Sequence, residues 1–209
     1  MPKGRPRNFD ADEAIDQAMK VFWRKGFEGT TIPDLTAAMG INRPSLYAAF
    51  GNKESLFRLV LDRYRRDPAS YVNRALAQPT AREVFRELLS GVIDLVTDPD
   101  NPGGCLFVCG SLASSEEGEP IRNELSSRRL EGEAEIRERF DQARKEGDLP
   151  ANTDPKSLAK FAATMIWGLS IQGMNCSSKK EMLSVANIAI ASFEAQIVNK
   201  EPPVVGRRR

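Results

Sequence analysis

A guanidinium at Arg43, a hydroxyl at Ser45, a phenol at Tyr47 and an ammonium at Lys53 fall within the stretch TTIPDLTAAMGINRPSLYAAFGNK, residues 30–53. Arginine can read guanine with two parallel hydrogen bonds, and serine can make a lesser base contact. A lysine beside a helix N-terminus can hold a phosphate, because the exposed N–H groups there already favour anions. The chemistry offered is nucleic-acid recognition. Catalysis has little to draw on: the chain contains no histidine, which removes Ser-His-Asp and Cys-His sites and the commonest metal ligand. Cys105 and Cys109 form a lone CxxxC without two further ligands, so no metal and no cofactor is expected.

Two short helices with a tight turn between them must carry these side chains. Thr31 can cap the first, and Pro33 sits in its first turn, where a missing N–H costs little. Ile32, Leu35, Ala38 and Met39 recur at helical spacing. Gly40 suits a left-handed C-terminal cap. Ile41 plugs the turn, and Asn42 can cap a second helix from Arg43 to about Ala49. Leu46 and Phe50 then face inward, leaving Arg43, Ser45 and Tyr47 outside. A helix-turn-helix lays its second helix in the DNA major groove, N-terminal residues nearest the bases.

The same stretch, extended to TTIPDLTAAMGINRPSLYAAFGNKESLF, resembles the DNA-binding domain of the TetR (tetracycline-repressor-type) family. The resemblance rests on Thr30, Thr31, Leu35, Ala38, Gly40, Leu46, Tyr47, Phe50, Lys53, Glu54 and Leu56, and covers roughly residues 9–64. Pro44 departs from it, because many members carry glycine or another small residue there. The resemblance implies that Tyr47 and Lys53 contact phosphates. It also implies an all-α fold of about nine helices: a three-helix DNA-binding domain, then a helical bundle that binds an effector and dimerises through its last two helices. Arg5, Arg7, Thr31, Asn42, Arg43, Pro44, Ser45, Tyr47 and Lys53 make up the expected DNA face.

Charge is distributed to match. Residues 1–66 carry 12 Lys and Arg against 8 Asp and Glu, whereas 67–209 carry 18 against 21. A basic first third suits phosphate contact, and an acidic remainder does not. At 41% hydrophobic and 28% charged, the chain has the composition of a globular protein with a real core. No apolar run approaches the ~20 residues of a membrane span, the basic start MPKGRPRNFD has no apolar stretch behind it, and three cysteines suggest no disulfide framework. A reducing cytoplasm is expected.

Taken in order, the arm from Pro2 to Asn8 can lie along phosphates or enter a minor groove, or can be a solvated terminus. Asp10 caps a first helix with Glu13 in a capping-box-like pair. Ala11, Ile15, Ala18, Met19 and Phe22 line one face, with Trp23 and Phe27 in the core, and Gly26 stops it. Asn52 caps a helix from Lys53 in which Leu56, Val60 and Tyr64 face inward and Arg63, Arg65 and Arg66 form a solvated cluster. Pro68 breaks it, so the expected boundary separates a head, 1–66, from a bundle, 67–200, with 201–209 a disordered tail.

In the bundle, Val84, Leu88, Val92 and Val96 mark a strongly apolar helix, and TDPDNPGG, 97–104, is a loop. A short helix is expected from Gly104 to Ser114. A long one, Pro120 to Glu146, carries a charged flank including Arg128, Arg129, Glu133, Glu135 and Arg139, read as a solvated face held by (i, i+4) pairs. Asp154 with Pro155 starts an almost wholly apolar helix, and Ser178 with Glu181 boxes the last. Two such apolar helices need more cover than one small domain gives. A four-helix dimer interface supplies it, against the alternative of a monomeric core.

The resemblance implies an unidentified small-molecule effector inside the bundle. Cys105, Phe107, Cys109, Met165, Trp167 and Gln172 are the candidate contacts, with Met174 and Asn175 beside them. Cys105 follows Pro-Gly-Gly at a predicted helix N-terminus, where a thiolate is favoured. It can be a thiol sensor, or a small buried residue. The function expected is a ligand-responsive regulator of transcription, a homodimeric repressor on palindromic double-stranded DNA. A DNA-bridging protein without an effector is the alternative.

Overall fold

The computed structural model describes residues 9–109, 118–175 and 177–197. The arm with Arg5 and Arg7, the end of the expected 104–114 helix and the 201–209 tail lie outside these residues. Among the described residues the chain is all α, with ten helices, one 3-10 turn and no strand.

Local signals set most of the boundaries. Asp10 accepts the N–H groups of Asp12 and Glu13 and starts α1, Ala11–Lys25, which Gly26 ends at φ 68°. Thr31 and Asp34 form a reciprocal capping box on α2, Ile32–Met39. Gly40 closes α2 in the left-handed region, φ 64° and ψ 27°, which glycine adopts without strain. Asn42 accepts the Ser45 N–H and opens α3, Arg43–Phe50, and Asn52 does the same through Ser55 for α4, Lys53–Arg66. Leu35, Leu46, Leu56, Phe57, Val60 and Leu61 are fully buried between these four helices. Phe27 is only half-buried.

The backbone breaks at Asp67, as Pro68 dictates, into a 3-10 turn, Pro68–Ser70. The next helix, α5 over Tyr71–Leu76, is not among the expected ones and brings the helices to ten, against about nine expected, among the described residues. Six residues carry too little periodicity to announce a helix. Tertiary packing makes it, because the Tyr71 side chain lies close against Gly91, where an added Cβ would meet the ring at 2.4 Å.

Gly91 belongs to α6, Ala81–Thr97, buried on several sides and capped by Thr80. A loop leads to α7, Leu106–Cys109, which begins two residues later than Gly104. The long α8, Glu119–Lys145, buries Ile121, Leu125, Ile136, Phe140 and Ala143. Then follow α9, Pro155–Met174, capped by Asp154, and α10, Lys179–Ile197, boxed by Ser178 and Glu181. Phe85 stacks on Phe193 at 4.3 Å and on Phe161 at 5.6 Å, joining α6, α9 and α10 into one core.

Two expected solvated faces also make tertiary joints, beside the expected (i, i+4) pairing of Arg128 with Glu124. Arg63 grips Asp16 of α1 with two hydrogen bonds, 2.8 and 2.9 Å. Arg65 pairs with Glu135 of α8, and Arg66 remains on the surface, bonded to the Asp62 carbonyl. On α8, Arg128 bridges to Asp62 of α4 at 2.8 Å, and Glu133 accepts from Lys160 of α9. Arg139 donates to the carbonyls of Leu76, Gln78 and Pro79, the end of α5 and the turn after it. Long side chains at a helix flank reach whatever element packs beside them, and spacing within one helix does not reveal that neighbour.

Candidate functional site

The outer face of α3 carries the candidate base readers. Arg43 and Pro44 occupy its first turn and are exposed, Ser45 is half-buried and Tyr47 is 39% exposed. Pro44 has no N–H to leave unpaired at this position, so it suits the start of the helix. Leu46 and Phe50, on the opposite side, are buried. The Arg43 Nη2 lies 3.4 Å from the Tyr47 hydroxyl, with the guanidinium 5.5 Å from the ring centroid. Tyr47 therefore steadies Arg43 one turn away while both stay in solvent.

Two residues of the expected DNA face have local structural work. The Thr31 hydroxyl is engaged with Asp34 in the capping box, and the Asn42 side-chain oxygen holds the Ser45 N–H at 2.9 Å. Lys25 reinforces that box at 2.7 Å, and together with Thr31 it lowers the Asp34 carboxyl to about 2.

Lys53 opens α4. Its Nζ stands 4.4 Å over the Phe27 ring, a cation–π contact that fixes the ammonium beside the helix N-terminus. Partial burial pushes its pKa down, with Glu28 opposing. The sequence contained no signal for the partnership, because residues 27 and 53 meet only once α1 and α4 cross.

At the other end of α4 lies a cavity of about 60 Å³, walled by α4, α5, α7, α8 and α9. Of the candidate effector contacts, Cys105, Phe107 and Trp167 line it. Cys109, Met165 and Gln172 do not, nor do Met174 and Asn175. Gln172 and Met174 face outward on α9, and Gln172 accepts from Ser177 instead. Helical spacing alone could not say which side of α9 faces the void.

Of the two readings of Cys105, its surroundings suit the small buried residue better than the thiolate. The thiol is buried, and burial pushes its pKa up despite the Tyr64 hydroxyl and two backbone N–H groups beside it. Cys109, half-buried, is pushed up to about 11.

The cavity wall is tied to the head. The Trp23 indole donates to the Gly104 carbonyl at 3.1 Å, and the Leu106 N–H donates to the Tyr64 hydroxyl at 3.3 Å. Tyr64 packs edge-on against Trp23 and Phe107, at 4.8 and 5.0 Å.

Away from the cavity, α9 and α10 leave Ile171, Met174, Leu183, Val185 and Ile188 exposed, Ile188 at 71%. No helix of the described residues is long and apolar enough to cross a membrane.

Comparison with known proteins agrees with this geometry. A family model described as bacterial regulatory proteins, tetR family, matches residues 14–60, and one described as a tetracyclin repressor-like C-terminal domain matches 81–183. The HTH-type transcriptional repressor ComR of Escherichia coli K12 is 34% identical over 190 residues, 90% of each chain. The repressor BdcR of the same organism is 49% identical over 61 residues, 29% of this chain and 31% of that one. Among solved structures, a cysteine-substituted TetR family regulator, CifR, complexed with 26-base-pair operator DNA, superposes with a TM-score of 0.87. It is 42% identical, over 90% of this chain and 99% of that one.

Proposed function

The chain belongs to the TetR family of bacterial transcriptional regulators, and we propose that it is a ligand-responsive repressor. It binds a palindromic operator as a homodimer, one α3 per major-groove half-site, and leaves when a small molecule fills the cavity. Arg43 and Ser45 read bases. Tyr47 and Lys53 hold phosphates, with Arg5, Arg7, Thr31, Asn42 and Pro44 along the same contact. Residues 1–66 act as the reading head and 67–200 as the effector and dimerisation part.

One observation supports this above the others. The 14 residues of α4 present Lys53 at one end and Arg65, a cavity-wall residue, at the other. A rigid helix anchored at both ends converts a shift at the cavity into a tilt at the DNA face. The presence of a cavity favours this reading over a DNA-bridging protein without an effector. The exposed α9–α10 face supports the homodimer, since an isologous interface would cover both copies of it. The relatives fit too: ComR is named a repressor, and CifR was solved on double-stranded operator DNA.

A second reading, induction by a thiol-reactive compound, is favoured by Cys105 on the cavity wall and by the cysteine substitutions in the CifR structures.

The test is selection of bound DNA from a random pool, followed by half-site mapping. The expected result is a palindrome with half-sites ~34 Å apart on one face. A single unpaired site, or half-site spacing unchanged when an inducer is bound, would overturn the proposal.

A further inference from the structure

We infer that Gly132 is the position that holds this cavity open, and that the molecule admitted is small, uncharged and largely apolar. The inference rests on the effector reading above and specifies its ligand.

Gly132 lies in the middle of α8, on the cavity wall. Glycine is the poorest helix former after proline, so a mid-helix glycine calls for a reason. Two other helical glycines have one in packing: a Cβ on Gly91 would meet Tyr71 at 2.4 Å, and one on Gly173 would meet Val96 at 2.5 Å. Gly168 of α9 also has open space beside it, but it lies off the cavity wall. At Gly132 a Cβ would meet nothing nearer than Arg65 Nη1, at 3.8 Å, an ordinary contact. The helix would accept alanine there. What alanine would take is space at the cavity wall.

Size and charge follow from the wall. A cavity of about 60 Å³ is less than half the roughly 150 Å³ that accommodates benzene; at about 15 Å³ for each water-sized atom it has room for about four heavy atoms. Its charged groups are already engaged. Arg65 is with Glu135, Arg128 with Glu124 and Asp62, Arg129 with the Phe107 carbonyl, and Glu133 with Lys160. A cation would be desolvated without gaining a counter-ion, and an anion would have to draw Arg129 away from the Phe107 carbonyl. Aromatic and aliphatic side chains, Tyr71, Phe107, Ile136, Ile166 and Trp167, supply most of the remaining surface.

The experiment follows the methyl resonances of Val108, Ile136 and Ile166 in the full chain during titration with xenon, acetone and acetate. Acetone and acetate have the same number of heavy atoms and differ in charge. Saturable shifts with xenon and acetone, and none with acetate at matched ionic strength, are expected. Gly132→Ala should raise Tm by about 2–4 °C through helix propensity while weakening acetone binding at least fivefold. Ala163→Val, which fills the same space from α9, should also weaken it. Acetate binding as tightly as acetone overturns the ligand class. Unchanged acetone binding in Gly132→Ala overturns the role of Gly132. If no probe moves any of the three methyls in the unaltered chain, the cavity reading itself fails, and this inference with it.

Discussion

The Trp23 indole N–H donates to the Gly104 carbonyl at 3.1 Å, joining α1 to the loop that carries the cavity thiol. The bond is buried and spans 81 positions of sequence. With Tyr64 it forms a continuous wall from head to cavity. The nearby ion pairs Arg65–Glu135 and Arg128–Asp62 are partly exposed. Such pairs contribute about 0–1 kcal/mol each, so they orient the joint more than they strengthen it.

Trp23→Phe keeps the apolar bulk and removes the donor, leaving a buried carbonyl unpaired. A loss of about 1–3 kcal/mol in unfolding free energy is expected. Denaturant melts should show a lower midpoint with an unchanged slope. An unchanged midpoint would mean that water replaces the indole.

Arg43→Ala and Lys53→Ala should fail differently. The first should cost about 1–3 kcal/mol on the operator and relax preference at one base position. The second should weaken every DNA sequence alike and reduce the salt slope by about one. Binding isotherms on operator and scrambled duplexes, over a range of salt concentrations, separate the two. Identical profiles would refute the division of roles.

Asp34 gives a pH dependence. Its carboxyl is lowered from 3.8 to about 2 by Lys25 and Thr31. A depressed folded-state pKa stabilises above the unfolded value and ceases to do so as pH falls through the folded one. Asp34→Asn should therefore have a lower Tm than the parent above about pH 4. The gap should close as pH drops toward 2. A gap independent of pH over that range would exclude the ionised box as its source.

Burial raises the pKa of both Cys105 and Cys109. Iodoacetamide at neutral pH should therefore modify each more slowly than a free model thiol. Faster labelling of Cys105 would restore the thiol-sensor reading at the expense of the non-covalent one.

Ile188 is the most exposed large apolar side chain of α10. Ile188→Asp would place a charge twice in an isologous interface. Sedimentation should find the variant monomeric at micromolar concentration, with its helical content intact. A dimer of undiminished affinity would move the interface elsewhere.

Where the helices start and stop is written in local stretches of chain. Asp10, Thr31, Asn42, Asn52, Thr80 and Asp154 each cap the helix they precede, and Gly26 and Gly40 stop theirs. These are interactions between residues two to five apart, so chain order alone contains them. The exposed face of α3 follows likewise, because Leu46 and Phe50 define its opposite side. The remaining contacts come from packing between distant segments. Arg63 met Asp16, Lys53 met Phe27 and Trp23 met Gly104 across long stretches of chain. The cavity is the volume left where five elements fail to fill one another's gaps, and no local periodicity carries that difference. The two readings of Cys105 could not be separated in the sequence for the same reason: its surroundings, rather than its neighbours in the chain, set the cost of charge.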